Sequence, residues 1–153
     1  MDYNKYMLEA YYQASRSEDP SSQNGAVCLN RVGDVHLSGY NCFNEYLKEI
    51  NYTNKLYKYH NIQHAEFLAT LRHSYPYHLI SPWAACLECA RMMAFSGVRF
   101  VVRHKQRMEH HHERWAQSII DGDTVLRNHG VEIIELDAFY NKTILIHGER
   151  VTL

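Results

Sequence analysis

The sequence predicts an α/β domain in which helices cover both faces of a partly parallel sheet. Three observations lead there. Several short apolar or alternating stretches have strand character. In the second half of the chain they alternate with helix-period segments, which calls for crossover connections and parallel neighbours. The chain has 153 residues, 46% of them hydrophobic, which suits one globular domain over 1–153. A domain of that size removes roughly 70% of its unfolded surface from water.

The elements follow in order. Tyr3, Tyr6, Met7, Ala10, Tyr11 and Ala14 fall at i, i+3, i+4 spacing, which predicts an amphipathic helix over 3–14. "SEDPSS" breaks it. "GAVCLN" and "DVHLSGY" flank a turn-like stretch from Asn30 to Gly33 and read as a hairpin. From Cys42 to Gln63 the chain is aromatic and Asn-rich with no period. It is too long for a plain connection, so it is a lid or a loop with its own short helix. Residues 64–72 have helical spacing. "YHLIS" is a strand ended by Pro82, and 86–96 is a helix stopped by Gly97. "VRFVV" is a buried strand. "HHERWAQSIIDGDTVLRNHG" is a helix stopped by Gly130, and "VEIIEL" is a strand. "KTILIHGERVTL" is one more strand or a hairpin. The order is α-β-β-α-β-α-β-α-β, with no internal repeat.

Bulk properties narrow the partners. Net charge is −1 with neutral histidines, which disfavours a polynucleotide, because phosphate backbones select a basic face. A single nucleotide needs only one or two cations. No apolar run approaches 18 residues, so no membrane partner is expected. "MDYNKYMLEAYYQ" lacks the basic head and apolar stretch of a secretory signal, and four cysteines without one suggest a reducing, cytoplasmic setting. Cys28 and Cys42 lie in strand-like surroundings and read as small buried residues.

Four residues between His64 and Cys89 carry the chemistry. Cys86 and Cys89 are three apart at a helix start, so both sulfurs reach one point. The positive helix end favours the thiolates a metal requires. His64 opens the other helix and adds a nitrogen, and two thiolates with one imidazole suit Zn²⁺. A closed structural zinc takes four protein ligands; three leave a corner for a water whose pKa falls to near neutrality. Glu66, two residues after His64, is placed to move that water's proton. A redox Cys-x-x-Cys pair is one rival reading, but it leaves His64 and Glu66 without a role. A structural zinc completed by His60 or His73 is another. The "EHHHE" run at 109–113 reads as a solvated helix start.

His-x-Glu followed by Cys-x-x-Cys, here "HAE" and "WAACLECA", is the zinc-deaminase signature. With "DPSSQNGAVCLN", "SGYN" and "GVRFVV", the chain resembles the cytidine-deaminase superfamily, most closely its deoxycytidylate (dCMP) deaminase branch with its phage-type members. The resemblance covers most of the chain. It implies a three-layer α/β/α fold with a five-stranded mixed sheet. It also implies Zn²⁺ on His64, Cys86 and Cys89, with Glu66 as proton shuttle. Asn41 matches an asparagine that binds the sugar hydroxyl. Trp83 matches an aromatic position beside the pyrimidine, with core packing at a strand end as the alternative. Backbone groups near Ala84 and Ala85 would orient the exocyclic amine, and Ala65 is counted with them as substrate-binding.

The chain departs from the family pattern at three places. Ala85 replaces the usual proline. Cys42 follows Asn41 where regulated members carry glycine, which removes the expectation of triphosphate regulation. "SQNG" replaces a segment that often holds a basic residue, so Asn24 enters the pocket and the phosphate cation must come from elsewhere. Candidates are Lys48, Lys55 and Lys58, or Arg103, His104, Lys105 and Arg107.

The implied reaction is hydrolytic deamination of a free cytosine nucleotide, dCMP to dUMP and ammonia. Zinc-activated hydroxide adds at C4, and Glu66 carries protons to N3 and the amine. The alternatives are a deaminase of another base or nucleoside, adenosine in tRNA included, or a silent zinc-stabilised module, which has no need of Glu66. Relatives assemble, so a homo-oligomer is expected, in the host cytoplasm if phage-encoded.

Overall fold

The computed structural model describes every residue except Val35, Lys48 and His112. Within the described residues the chain begins with α1 (Tyr3–Ser15), β1 (Gly25–Leu29), β2 (His36–Tyr40) and β3 (Cys42–Phe43). It continues through α2 (Lys55–Asn61), β4 (Ile62–Gln63), α3 (Ala65–Leu71), β5 (His78–Ile80) and α4 (Leu87–Ser96). It ends with β6 (Phe100–His104), α5 (Lys105–Met108), α6 (Glu113–Asn128), β7 (Glu132–Leu136), β8 (Thr143–Ile146) and β9 (Glu149–Thr152).

The main sheet is five-stranded, in the order β2-β1-β5-β6-β7. β1 runs antiparallel to β2 and β5, whereas β5, β6 and β7 are parallel. The parallel pairs are joined by α4 and by α6, the crossovers that the alternating second half demands. β1 is buried along its whole length, which is why "GAVCL" has no polar alternation. Its side chains divide between two cores. Val27 and Leu29 pack with Met7, Ala10, Tyr11 and Ala14 of α1. Ala26 and Cys28 pack on the other side with Ala65 and Ala69 of α3 and with Cys89, Ala90 and Met93 of α4. Full burial of central side chains such as Leu79 and Ile80 is worth about 1.5–3 kcal/mol each. Gly25 lets α1 sit close on this strand: a Cβ there would lie 2.1 Å from the Ala10 carbonyl oxygen.

The tail forms a hairpin, β8–β9, outside the main sheet. His147 and Gly148 turn it with φ of 54° and 85°. Ile144, Ile146 and Leu153 press it onto the α1 side, so that face is covered by a helix and a hairpin rather than by helices alone. The segment from 42 to 63 contains the short helix α2, and its two ends are tied together by β3 pairing with β4. β6 begins at Phe100 rather than Val98 because Val98 still closes α4 through Met93, while Arg103 and His104 pair with Glu135 and Leu136 of β7. The short α5 after it has no counterpart in the sequence reading. Gly97 ends α4 as expected, with φ of 102°. Arg103 ties α6 to the sheet through Asp123 (3.0 Å) and Glu135 (2.8 Å).

Two features bear on the loop ahead of α4. Ser118 of α6 accepts the Leu87 N–H through Oγ at 3.0 Å, satisfying part of the first turn of α4. Gly122 of α6 packs against the same loop: a Cβ there would lie 3.1 Å from the Ala85 carbonyl oxygen and 3.3 Å from Ala90 Cβ.

At the end of β6, His104 is fully buried between α1 and the chain after β7. Its Nε2 donates to the Ala138 carbonyl (2.7 Å), so Nδ1 accepts from the Tyr11 hydroxyl (2.6 Å). That is a neutral imidazole, and burial pushes its pKa below the ordinary 6.5. The stabilisation is complete above that value and is lost as pH falls through it, because the unfolded chain takes up the proton first. Unfolding in denaturant is expected to show stability dropping as pH falls below the ordinary 6.5, with a shallower slope in His104→Gln. Equal slopes would remove His104 from the account.

Candidate metal centre and active site

His64 and Cys86 are the N-cap residues of α3 and α4, and neither side chain makes a capping hydrogen bond. That leaves both free to ligate. Cys89, one turn into α4, joins them. Cys86 Sγ and Cys89 Sγ lie 3.4 and 3.5 Å from His64 Nδ1, and the three donor atoms fall within 4.8 Å of one another. Zinc–sulfur bonds near 2.3 Å and zinc–nitrogen bonds near 2.0–2.1 Å at tetrahedral angles put such atoms about 3.6 Å apart. The residues therefore fit Zn²⁺ with Nδ1 as the imidazole donor. Among the described residues no fourth His, Cys, Asp or Glu joins the group, the pattern of catalytic rather than structural sites. His73 is engaged with the Tyr75 N–H instead.

The cysteines share one proton. A hydrogen bond from Cys89, helped by His64, pulls Cys86 down to about 4; the neighbouring thiolate and burial drive Cys89 up. A metal ion held by the three residues would displace that remaining proton.

Glu66 lies on the first turn of α3 and is 3% exposed. Burial pushes its carboxyl up to about 7, against the pull of His64. A carboxyl of that pKa both takes and gives a proton at neutral pH. Asn24 Nδ2 donates to its Oε1 at 3.1 Å.

His64, Cys86, Glu66 and Asn24 share the floor of a cavity of about 360 Å³. Asn24, Asn41, His64, Ala65, Glu66, Trp83, Ala84 and Cys86 line it. Its far wall holds Arg107 from α5, Arg114 and Trp115 from α6, and His147 from the hairpin turn. The Arg107 guanidinium stacks on Trp83 at 3.9 Å and donates to the His110 carbonyl at 3.1 Å. It is 3% exposed, its Nε has no hydrogen-bond partner, and burial lowers its pKa to about 10. Among the described residues no carboxylate pairs with it.

The chain is similar to a dCMP deaminase from the cyanophage S-TIM5 in apo form. That match has 22% identity and a TM-score of 0.66 over 87% of this chain and 95% of that one. The same enzyme in complex with dCMP and dUMP matches at 23% and 0.66, over 88% and 96%. RibD of Acinetobacter baumannii matches at 15% and 0.52, over 87% of this chain and 34% of that one. The chain has the cytidine-deaminase-like fold. No protein-family model matches it, and no curated protein does.

Within this deaminase fold most of the sequence-predicted residues converge. Ala85 is buried but does not line the cavity. Asn41 lines it with its amide engaged: Oδ1 accepts the Asn24 N–H (2.7 Å), and Nδ2 donates to the Ser22 carbonyl (2.8 Å) and to Asp19 (3.2 Å). Cys28 is buried and Cys42 half-buried. Of the cation candidates, Arg103 is in the ion-pair network, His104 is a neutral core residue and Lys105 pairs with Asp137. Lys58 lines the cavity but pairs with buried Asp19 at 2.7 Å. Lys55 and Arg107 also line it, and Lys48 lies outside the described residues. His110 and His111 of the histidine run are exposed, and His112 is outside the described residues. Sequence reasoning missed Arg114, Trp115 and His147, none of which sits in a local pattern. Among the described residues no helix is long and apolar enough to cross a membrane.

Proposed function

We propose that this protein deaminates a free cytosine nucleotide, dCMP in particular, by zinc-assisted hydrolysis. The observation that carries the reading is the convergence of His64, Cys86 and Cys89 beside a buried, hydrogen-bonded Glu66 on a cavity floor. A module kept only for structural zinc has no use for a carboxylate held there. The similar dCMP deaminase complexed with dCMP and dUMP supports the substrate class.

When bound on His64, Cys86 and Cys89, zinc lowers the pKa of solvent toward neutrality. Glu66 takes one proton from the attacking water and passes it to N3 of the base, then takes the second from the hydroxyl left on C4 and passes it to the departing amine. Water and a cytosine nucleotide become a uracil nucleotide and ammonia. Trp83 and the backbone at Ala84 and Ala65 bound the space for the ring, and Asn41 stands beside the sugar. Arg107 binds the phosphate: a buried guanidinium with no carboxylate partner is an anion site.

Zinc-loaded protein tested with dCMP, deoxycytidine, dCTP and adenosine, followed by ultraviolet loss of the amino-base absorbance, is expected to favour dCMP. Arg107→Met is expected to raise KM for dCMP by about 10–100-fold, the value of a charge-assisted hydrogen bond, with a far smaller effect on deoxycytidine. Absence of turnover with dCMP, or an equal loss with deoxycytidine, overturns the assignment.

A further inference from the structure

Glu66 is held by a residue that no zinc-site chemistry requires. Asn24 closes the loop ahead of β1, 42 positions before Glu66 in the chain. Its Nδ2 carries two hydrogens, and the structure gives each an acceptor: Glu66 Oε1 at 3.1 Å and Ser81 Oγ at 3.1 Å. With Nδ2 turned to Glu66 the amide sets a donor against the carboxylate oxygen, and the Ser81 hydroxyl also lies within reach of Asn24 Oδ1 at 3.4 Å. Ser81 is 1% exposed at the end of β5, a rigid anchor for the other side of the amide. The Asn24 backbone is fixed as well. Its N–H goes to Asn41 Oδ1 (2.7 Å), and its carbonyl accepts the Asn41 N–H (3.1 Å). Asn41 in turn is held by Asp19, and Asp19 by Lys58 Nζ of α2 at 2.7 Å.

We infer that Asn24 is a positioning residue for the proposed deamination, and that with Ser81 it clamps the Glu66 carboxylate in the rotamer from which it moves protons. The inference rests on the deaminase reading for its kinetic consequence and on the hydrogen bonds alone for its geometry. A buried carboxylate without such a donor chooses among rotamers. A misplacement near 1 Å at a reacting group costs on the order of 100-fold in rate. Because Asn24 acts on Glu66 rather than on the metal ligands, its loss leaves the zinc in place. The two further links, through Asn41 and Asp19 to Lys58, join the clamp to the wall that α2 contributes to the cavity.

The test compares wild type, Asn24→Ala, Asn24→Thr and Ser81→Ala for zinc content, kcat and KM with dCMP, affinity for dUMP, and crystal structure. Asn24→Ala is expected to keep its zinc and its affinity for dUMP, and to hold KM within about threefold while kcat falls about 30–100-fold. Asn24→Thr, which retains one hydroxyl donor, recovers part of that loss, and Ser81→Ala loses about threefold in kcat at unchanged KM. A kcat within twofold of wild type overturns the clamp. A raised KM with weakened dUMP binding at unchanged kcat also overturns it, because Asn24 would then be a direct substrate contact. Should Asn24→Ala not fold, Asn24→Thr and Ser81→Ala decide by the same criteria. A wild type without turnover would defeat the deaminase reading, and the variant crystal structures would still judge the clamp. A displaced Glu66 carboxylate supports it, and one superimposed on wild type overturns it.

Discussion

Glu66→Gln is expected to lower kcat for dCMP by about 10²–10⁴-fold, the usual contribution of a positioned proton-transfer group. Glutamine keeps the volume of the side chain and an oxygen for Asn24 to donate to, so cavity shape and the 3.1 Å hydrogen bond survive. What it loses is the ability to accept and release a proton. The environment of Glu66 is built for that exchange: burial raises the carboxyl to about 7. Metal analysis should find about one zinc per chain in both proteins, since the three donors of a catalytic site remain. Undiminished turnover in a zinc-loaded Glu66→Gln protein would assign the proton transfers elsewhere.

Cys86→Ser separates the metal from the helix it stands on. Serine is a preferred N-cap residue, so α4 should start at least as well as with Cys86, whose thiol makes no capping bond. A neutral hydroxyl is a poor replacement for the thiolate that Cys89 and His64 already favour at Cys86. Zinc content after dialysis is expected to fall from about one per chain to near zero, and turnover with it. The melting temperature should drop as well. Each kcal/mol is worth about 2–4 °C in a chain of this length, so a metal contribution of several kcal/mol corresponds to about 10 °C or more. Stoichiometric zinc in Cys86→Ser would show that Cys86 is not a ligand.

The grouping of His64, Cys86 and Cys89 was legible because its parts are local. Cys86 and Cys89 share a helix turn, His64 and Glu66 share another, and both turns are announced by spacing. The same locality made the sheet readable: β1 as a continuous apolar run, and the parallel strands from their alternation with helices. The far wall of the cavity obeys no local rule. Arg107 belongs to a four-residue helix without a periodic signal, and His147 to a hairpin turn that reaches the cavity only because the hairpin packs on the α1 side. The Asn24–Glu66 contact joins residues 42 apart and exists only once β1 and α3 are packed. Strand β6 starts two residues later than the apolar run "VRFVV" because Val98, apolar and fully buried, serves the end of α4. The histidine pattern at 109–113 carried no information about the cavity, although the His110 backbone carbonyl supports both Arg107 and His147.

Gly122 carries no functional group, yet it packs against the backbone on which both cysteines stand. The carbonyl it leaves room for belongs to the peptide that delivers Cys86, and the methyl it abuts belongs to Ala90, the residue after Cys89. A single methyl added at that point must shift one or both by a few tenths of an ångström. The spacing of the two sulfurs is therefore tied to packing on a helix that supplies none of the His64, Cys86 and Cys89 donor atoms.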